Sequence, residues 1–247
     1  MMNNSPDIAV WHAFDHAAEH YDQASVLQRQ SAQFFFDWIQ QKDQHDLQPL
    51  DWLDAGCGTG AMAKRIAAQR QRVFAVDQSP AMLTHLQGVD GITPIQADIH
   101  HLPFADSSMD RLVSHFALHW LGPAILTELC RVMKTDGVLW LAIPVLGSFS
   151  IVRVRYPELP VFDFLPADVW MDVAAKQSVE VVSVCEKRWS QTFATLQELL
   201  HMLKLMGGHR LGREQAPVPL ATFRSWLRDA EPIALEYQVL YLQLRRL

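Results

Sequence analysis

The chain has 247 residues, 49% of them apolar and 19% charged, which is enough for one α/β core of ordinary globular composition. A formal net charge of −6 argues against a general nucleic-acid binder. No apolar run approaches about 18 residues, the N-terminus lacks the regions of a secretory signal, and Cys57, Cys130 and Cys185 form no CxxC pattern, so a soluble protein of the reducing cytoplasm is expected, without membrane span, disulfide framework or structural zinc.

The first half alternates short apolar runs with amphipathic stretches, the pattern of βα units around a parallel sheet. Residues 51–55 read as a buried strand entering a glycine-rich turn, with a helix over 61–69. A strand is expected over 72–77, and Ser79-Pro80 is an N-cap serine followed by proline at the first helical position. Strands over 93–97 and 109–114 follow, then a helix over 122–133 that stops at Lys134-Thr135-Asp136-Gly137. Residues 138–143 form the most apolar strand and so the expected centre of the sheet. In the second half, 147–166 contains three prolines and reads as a long functional loop. A strand over 179–185, helices over 195–206 and 219–229, and a last strand over 235–244 complete the chain.

The loop Asp54-Ala55-Gly56-Cys57-Gly58-Thr59-Gly60 lies between a strand and a helix, where glycine lets backbone approach a ligand and free helix N–H groups face it. Asp77 ends the next strand and can accept both hydroxyls of a ribose. Asp98 follows the third strand and can accept from an adenine amino group. Three such features at consecutive strand C-termini point to a nucleoside-like ligand. A nicotinamide enzyme fits less well, because G-x-G-x-x-G lacks its third glycine at Ala63.

In their order and spacing the segments LDAGCGTG, AVDQSPAML, ADIHHLPF and RVMKTDGVL resemble the class I S-adenosylmethionine-dependent methyltransferases. That resemblance implies a Rossmann-like α/β fold: a mostly parallel seven-stranded sheet with helices on both faces and a helical lid insertion. It implies S-adenosylmethionine as methyl donor and S-adenosylhomocysteine as product. By the family pattern Asp54 and Gly56 face the methionine part, with Gly58 and Gly60 in the same loop, while Asp77 holds the ribose beside Gln78 and Met82. Asp98 and Ile99 then lie near adenine, and Ser114 at the end of the fourth strand. One domain is expected over 1–247, comprising an N-terminal helical cap (1–45), a cofactor core (50–143), a substrate-side loop and helical lid (147–230) and a C-terminal strand (235–247).

The outer segments Phe14 to Asp22, Leu27-Gln28-Arg29-Gln30, Ser114 to Trp120, Gly147-Ser148-Phe149 and Phe164-Leu165-Pro166 are similar to the malonyl-[acyl-carrier protein] O-methyltransferases. Where that family carries an Asn-Arg pair ahead of its Phe-Leu-Pro, this chain has Phe162-Asp163. The implied acceptor is the carboxylate of malonyl-acyl carrier protein, or of malonyl-coenzyme A, at the start of biotin synthesis. A carboxylate is ionised at neutral pH and needs positioning more than a general base. Tyr21 and His119 are the candidate catalytic residues, with Phe116 and Trp120 walling the acceptor. Arg29, Arg153, Arg155, Arg210 and Arg213 are candidates to grip its free carboxylate.

His115 and His119 stand four apart and could share a helix face, but no third ligand or HExxH accompanies them, so no metal is expected. From Lys187 to Arg228 there are seven Lys/Arg against two Asp/Glu, a basic stretch suited to steering an acidic carrier protein. A monomer or dimer without nucleic-acid or membrane partners is expected. The alternatives are a class I methyltransferase for a quinone precursor or another carboxylic acid, and a non-catalytic cofactor-binding protein.

Overall fold

A computed structural model describes residues 8–43, 48–206 and 218–247. Seven strands form one sheet: β1 (Asp51–Ala55), β2 (Arg72–Asp77), β3 (Ile92–Gln96), β4 (Met109–His115), β5 (Met133–Phe149), β6 (Val179–Phe193) and β7 (Ile233–Arg246). Their order is β3-β2-β1-β4-β5-β7-β6. The neighbours from β3 to β5 pair in parallel, and β7 runs antiparallel between β5 and β6. The chain order therefore reverses between β1 and β4, and the crevice at the C-terminal ends of those strands is where open α/β sheets bind ligands.

Alternation along the strands divides the core in two, because successive side chains point to opposite faces. On β5, Val138, Trp140 and Ala142 join the cluster beneath α2 (Val26–Lys42), α3 (Ala63–Ala67) and α8 (Leu196–Leu205), whereas Leu139, Leu141 and Ile143 join the other cluster with α5 (Leu126–Val132) and α7 (Ala167–Ala174). β7 does the same, sending Tyr237, Val239 and Tyr241 to the first face and Leu240, Leu242 and Leu244 to the second. Each large apolar side chain buried this way contributes about 1.5–3 kcal/mol. α1 (Ile8–Ala24) precedes α2 and reaches across to α4 (Pro80–Thr84) and α8.

Local chemistry accounts for the helix starts. Ser79 accepts from the Met82 N–H at 3.2 Å ahead of Pro80, as the sequence indicated. Thr195 caps α8 by accepting from the Glu198 N–H at 3.2 Å, while the Glu198 carboxylate takes the Ala194 N–H at 2.8 Å.

Several bounds differ from the sequence reading. The helix expected over 122–133 is a 3-10 turn (Pro123–Ile125) followed by α5. The loop expected from Gly147 begins instead as the end of β5 and continues as α6 (Ser150–Arg155), held by Ser150 donating to Glu236 at 2.7 Å. All three prolines of that segment lie after α6, so they do not interrupt it. β6 runs on to Phe193 because its outer half alternates half-buried and exposed residues, among them Lys187, Arg188 and Ser190, as suits an edge strand but hides it from hydropathy. α7, anchored by buried Trp170 and Ala174, has no counterpart in the sequence reading. Among the described residues no helix is long and apolar enough to cross a membrane.

Candidate active site

A cleft opens at the C-terminal ends of β1, β2 and β4, as the strand order requires. Its floor is the glycine loop. Gly56 has φ +75°, and a Cβ there would stand 2.3 Å from the Ala117 Cβ, so only glycine fits. Gly58 also has positive φ (+51°), but a Cβ there would meet nothing within 4 Å, which leaves its outer side open to the cleft.

The carboxylates organise this floor. Asp77 lines the cleft at the end of β2 and accepts from the Gly58 N–H at 2.8 Å and the Ser79 N–H at 2.9 Å, one on each oxygen. Burial raises its carboxyl despite those N–H groups, and Asp15 adds to the rise. Each oxygen keeps a lone pair, so the pair can accept two vicinal hydroxyls. Asp98 lines the far end and accepts from the His100 N–H and ring at 2.9 Å. Partial burial would lift its carboxyl, but those His100 contacts outweigh it and hold it below the ordinary value. Asp54, in β1, is fully buried and accepts from the Ala63 N–H at 2.9 Å, fixing where the helix after the loop begins. Desolvation lifts its carboxyl to about 7, against the pull of that N–H and with a further push from Asp77.

The sequence candidates fall into two groups. Gly56, Gly58, Asp77, Gln78, Met82, Asp98 and Ile99 all line the cleft. Asp54, Gly60 and Ser114 do not: Asp54 braces the turn from beneath, a Cβ on Gly60 would strike Leu86, and the Ser114 hydroxyl donates to the Ala55 carbonyl at 2.7 Å inside the sheet.

Of the residues the sequence offers for the acceptor, Tyr21, Arg29, Phe116 and Trp120 line the cleft. Phe116 is held at φ 55° after β4 and Phe149 at φ 60° as the last residue of β5, conformations rare for bulky residues, and each ring lies 5.1 Å from that of Tyr237. Tyr21 remains a protonated phenol, because burial raises it and Asp77 and Asp22 add to the rise. His119 sits behind the wall rather than in the cleft, its ring 4.8 Å from that of Trp120 and 5.4 Å from that of Phe162, with Nδ1 buried and without a partner among the described residues. His115 closes β4 and His119 lies in the 3-10 turn Leu118–Trp120, so the two share no helix face. Burial lowers each to about 3.

Arg153 is committed to Asp163 at 2.8 Å and to the Phe162 carbonyl, and Arg155 to Asp229 at 2.7 Å; neither lines the cleft. Arg210 lies outside the described residues, as does Arg213. Among the described residues Arg29 is the one basic side chain at the cleft apart from His115, and no ion pair with another described residue ties it.

The sequence reading missed Asp22, Ser25, Gln28 and Thr59 as cleft residues. Tyr21, Ser25, Gln28 and Arg29 follow one another at helical spacing across the α1–α2 junction, and that polar face was the available signal. Asp22 accepts from the Thr59 hydroxyl at 2.5 Å, and Asp15 accepts from the Ser79 hydroxyl and, at 3.3 Å, from the Ala81 N–H. Two α1 carboxylates thus fasten this helix to the glycine loop and to the turn after β2.

The family model for a methyltransferase domain matches residues 53–141. A malonyl-[acyl-carrier protein] O-methyltransferase of Erwinia pyrifoliae is 31% identical, with 94% of this chain and 90% of the relative covered. One of Dechloromonas aromatica is 28% identical, with 95% and 92% covered. A SAM-dependent methyltransferase structure from Thermotoga maritima superposes with a TM-score of 0.59 at 16% identity, covering 96% of this chain and 100% of that one. Sheet order, glycine loop and family match define a class I methyltransferase that uses S-adenosylmethionine. The chain belongs to the malonyl-[acyl-carrier protein] O-methyltransferase family.

Proposed function

We propose that this protein methylates the free carboxylate of a malonyl thioester carried by acyl carrier protein in the cytoplasm, giving the methyl ester that begins biotin synthesis. The observation that carries this reading is Arg29, a guanidinium at the cleft mouth with no ion-pair partner among the described residues, in a chain of this family. S-Adenosylmethionine, when bound, supplies a methyl group activated on a cationic sulfur. The chain's own residues then have three tasks.

Gly56 and Gly58 let backbone approach the methionine side of the donor while Asp77 accepts from its ribose and Asp98 lies toward adenine. The fit rests on the open face at Gly58 and on the Asp77 and Asp98 carboxylates that line the cleft. Arg29 offers a bidentate fork to the acceptor carboxylate, and Phe116 and Trp120 exclude water around it. No strong base is needed, since the nucleophilic oxygen is already an anion. The groups nearest the acceptor suit this, because Tyr21 holds its proton and His115, at about 3, is a weak base. α1 and α2 act as the cover of a single domain; among the described residues of 147–230 none lines the cleft, and Phe162 and Phe164 stand behind it against His119.

The test is methyl transfer from isotopically labelled donor to malonyl-carrier protein, malonyl-coenzyme A and acetyl-carrier protein, read by mass spectrometry. Both malonyl thioesters should gain one methyl group and acetyl-carrier protein none. Binding of S-adenosylhomocysteine without methylation of either malonyl thioester would overturn the reading.

A further inference from the structure

A line of polar groups, buried at its centre, runs from the outer sheet to the cleft: half-buried Trp189 on β6, Tyr241 on β7, Ser31 on α2 and half-buried His115 at the end of β4. The Trp189 Nε1–H lies 2.8 Å from the Tyr241 hydroxyl, which is 2.7 Å from the Ser31 hydroxyl, which is 3.0 Å from His115 Nε2. An indole N–H can only donate, so the Tyr241 oxygen accepts from Trp189, and among the described residues Ser31 is the neighbour that can take the Tyr241 proton. In that arrangement Ser31 accepts from Tyr241 and donates to His115 Nε2, 3.0 Å away. A neutral imidazole whose Nε2 accepts carries its proton on Nδ1.

Other contacts hold this arrangement. The Phe35 ring stacks on His115 with centroids 6.0 Å apart and planes at 25°, and the Phe116 ring lies 4.7 Å away. Tyr241 keeps its proton, since burial lifts it to about 12 despite Ser31 and Trp189. At the outer end the Lys187 ammonium sits over the rings of Phe34 and Trp189, at 4.1 and 4.3 Å. No hydrogen bond with another described residue occupies His115 Nδ1, and His115 lines the cleft.

We propose that His115 is an acceptor-positioning residue: Ser31 fixes it as the neutral Nδ1–H tautomer, which donates a hydrogen bond to a carboxylate or thioester carbonyl oxygen of the acyl acceptor. This rests on the malonyl thioester reading above. Neutrality is part of the role. A charged imidazolium would repel the sulfonium and bind the nucleophilic carboxylate hard in the ground state, whereas a neutral donor orients it at little cost in reactivity.

The test begins with long-range proton–nitrogen NMR of the full chain labelled in histidine, His115 being assigned by the signal lost in His115→Leu. The Nδ1–H form is expected in the unmodified protein and a shift toward Nε2–H in Ser31→Ala; an Nε2–H form in the unmodified protein overturns the proposal. In kinetics, Ser31→Ala and His115→Leu should each raise the acceptor KM about tenfold, with S-adenosylhomocysteine affinity unchanged. His115→Asn, which keeps an N–H donor, should recover most of that loss. An unmodified protein that turns over malonyl thioester while Ser31→Ala and His115→Leu keep its KM also overturns it. If the unmodified protein shows the Nδ1–H form but methylates no malonyl thioester, the functional reading fails, and with it the target assigned to the donor.

Discussion

The proposed cofactor side of the cleft is made of strand ends and the turns that leave them, whereas the proposed acceptor side is made of side chains from the α1–α2 junction and the turn after β4. The first is held by backbone N–H groups: Gly58 and Ser79 on Asp77, Ala63 on Asp54, His100 on Asp98. The second is held by ring packing and side-chain hydrogen bonds over long sequence separations, as between Ser31 and Tyr241. Geometry tied to the backbone tolerates almost no substitution where atoms touch. A side-chain wall can be changed residue by residue.

The largest effect is therefore expected on the backbone side. Gly56→Ala places a methyl group on Ala117 and forces a left-handed conformation on alanine, so calorimetry with S-adenosylhomocysteine should show at least about a hundredfold loss of affinity. Gly58→Ala sharpens the comparison, since its Cβ meets no protein atom and strain alone costs about 1–2 kcal/mol. A loss of binding well beyond that strain would show that ligand occupies the open face. Equal, small losses at both glycines would mean that the loop does not cradle the donor.

On the acceptor side, Arg29→Gln should raise the KM for malonyl-carrier protein about 10- to 100-fold, the range for a charge-assisted contact of 1.5–3 kcal/mol, and leave S-adenosylhomocysteine affinity unchanged. An equal loss in donor affinity would mean that Arg29 serves the cofactor instead. Arg153→Gln and Arg155→Gln, which cut ion pairs to Asp163 and Asp229, should alter stability rather than KM.

The same contrast explains what the sequence disclosed. A strand, a glycine turn and a carboxylate at the next strand end are local patterns, so Gly56, Gly58, Asp77 and Asp98 could be assigned from spacing. Asp54 was legible as part of that loop, but its burial beneath the turn depends on where α3 starts. The arginines were not separable in sequence, because what distinguishes Arg29 from Arg155 is Asp229, 74 residues away from Arg155 in the chain. α6 and α7 were hidden by their proline-rich flanks, and the outer half of β6 by its polar alternation.

Asp54 gives a smaller effect, visible in pH dependence. Its folded carboxyl stands at about 7 against an ordinary 3.8, so between those values the folded chain holds a proton that the unfolded chain has released. Stability from this group is complete below the unfolded value, falls as pH rises through the window and levels off above the folded value. Asp54→Asn keeps an oxygen for the Ala63 N–H and cannot ionise. Its melting temperature should therefore decline less between about pH 5 and pH 8 than that of the unmodified protein. Parallel declines would mean that Asp54 ionises in the folded chain as easily as in the unfolded one.

The smallest effect should come from His119, the sequence candidate that the fold sets behind the wall. Its Nδ1 is buried without a partner among the described residues, and such an orphan costs about 1–3 kcal/mol. His119→Phe removes it while keeping ring contacts with Trp120, Phe162 and Phe164, whose centroids lie 4.8–5.5 Å away. Against the gain stands the slightly larger ring, so a net increase of about 1 kcal/mol, or 2–4 °C in melting temperature, is expected with kcat and both KM values unchanged. A fall in kcat without a fall in stability would give His119 the catalytic role its sequence position suggested. It would also mean that the wall around Phe162 and Phe164 opens during turnover, because in the closed arrangement this imidazole touches aromatic rings rather than the cleft.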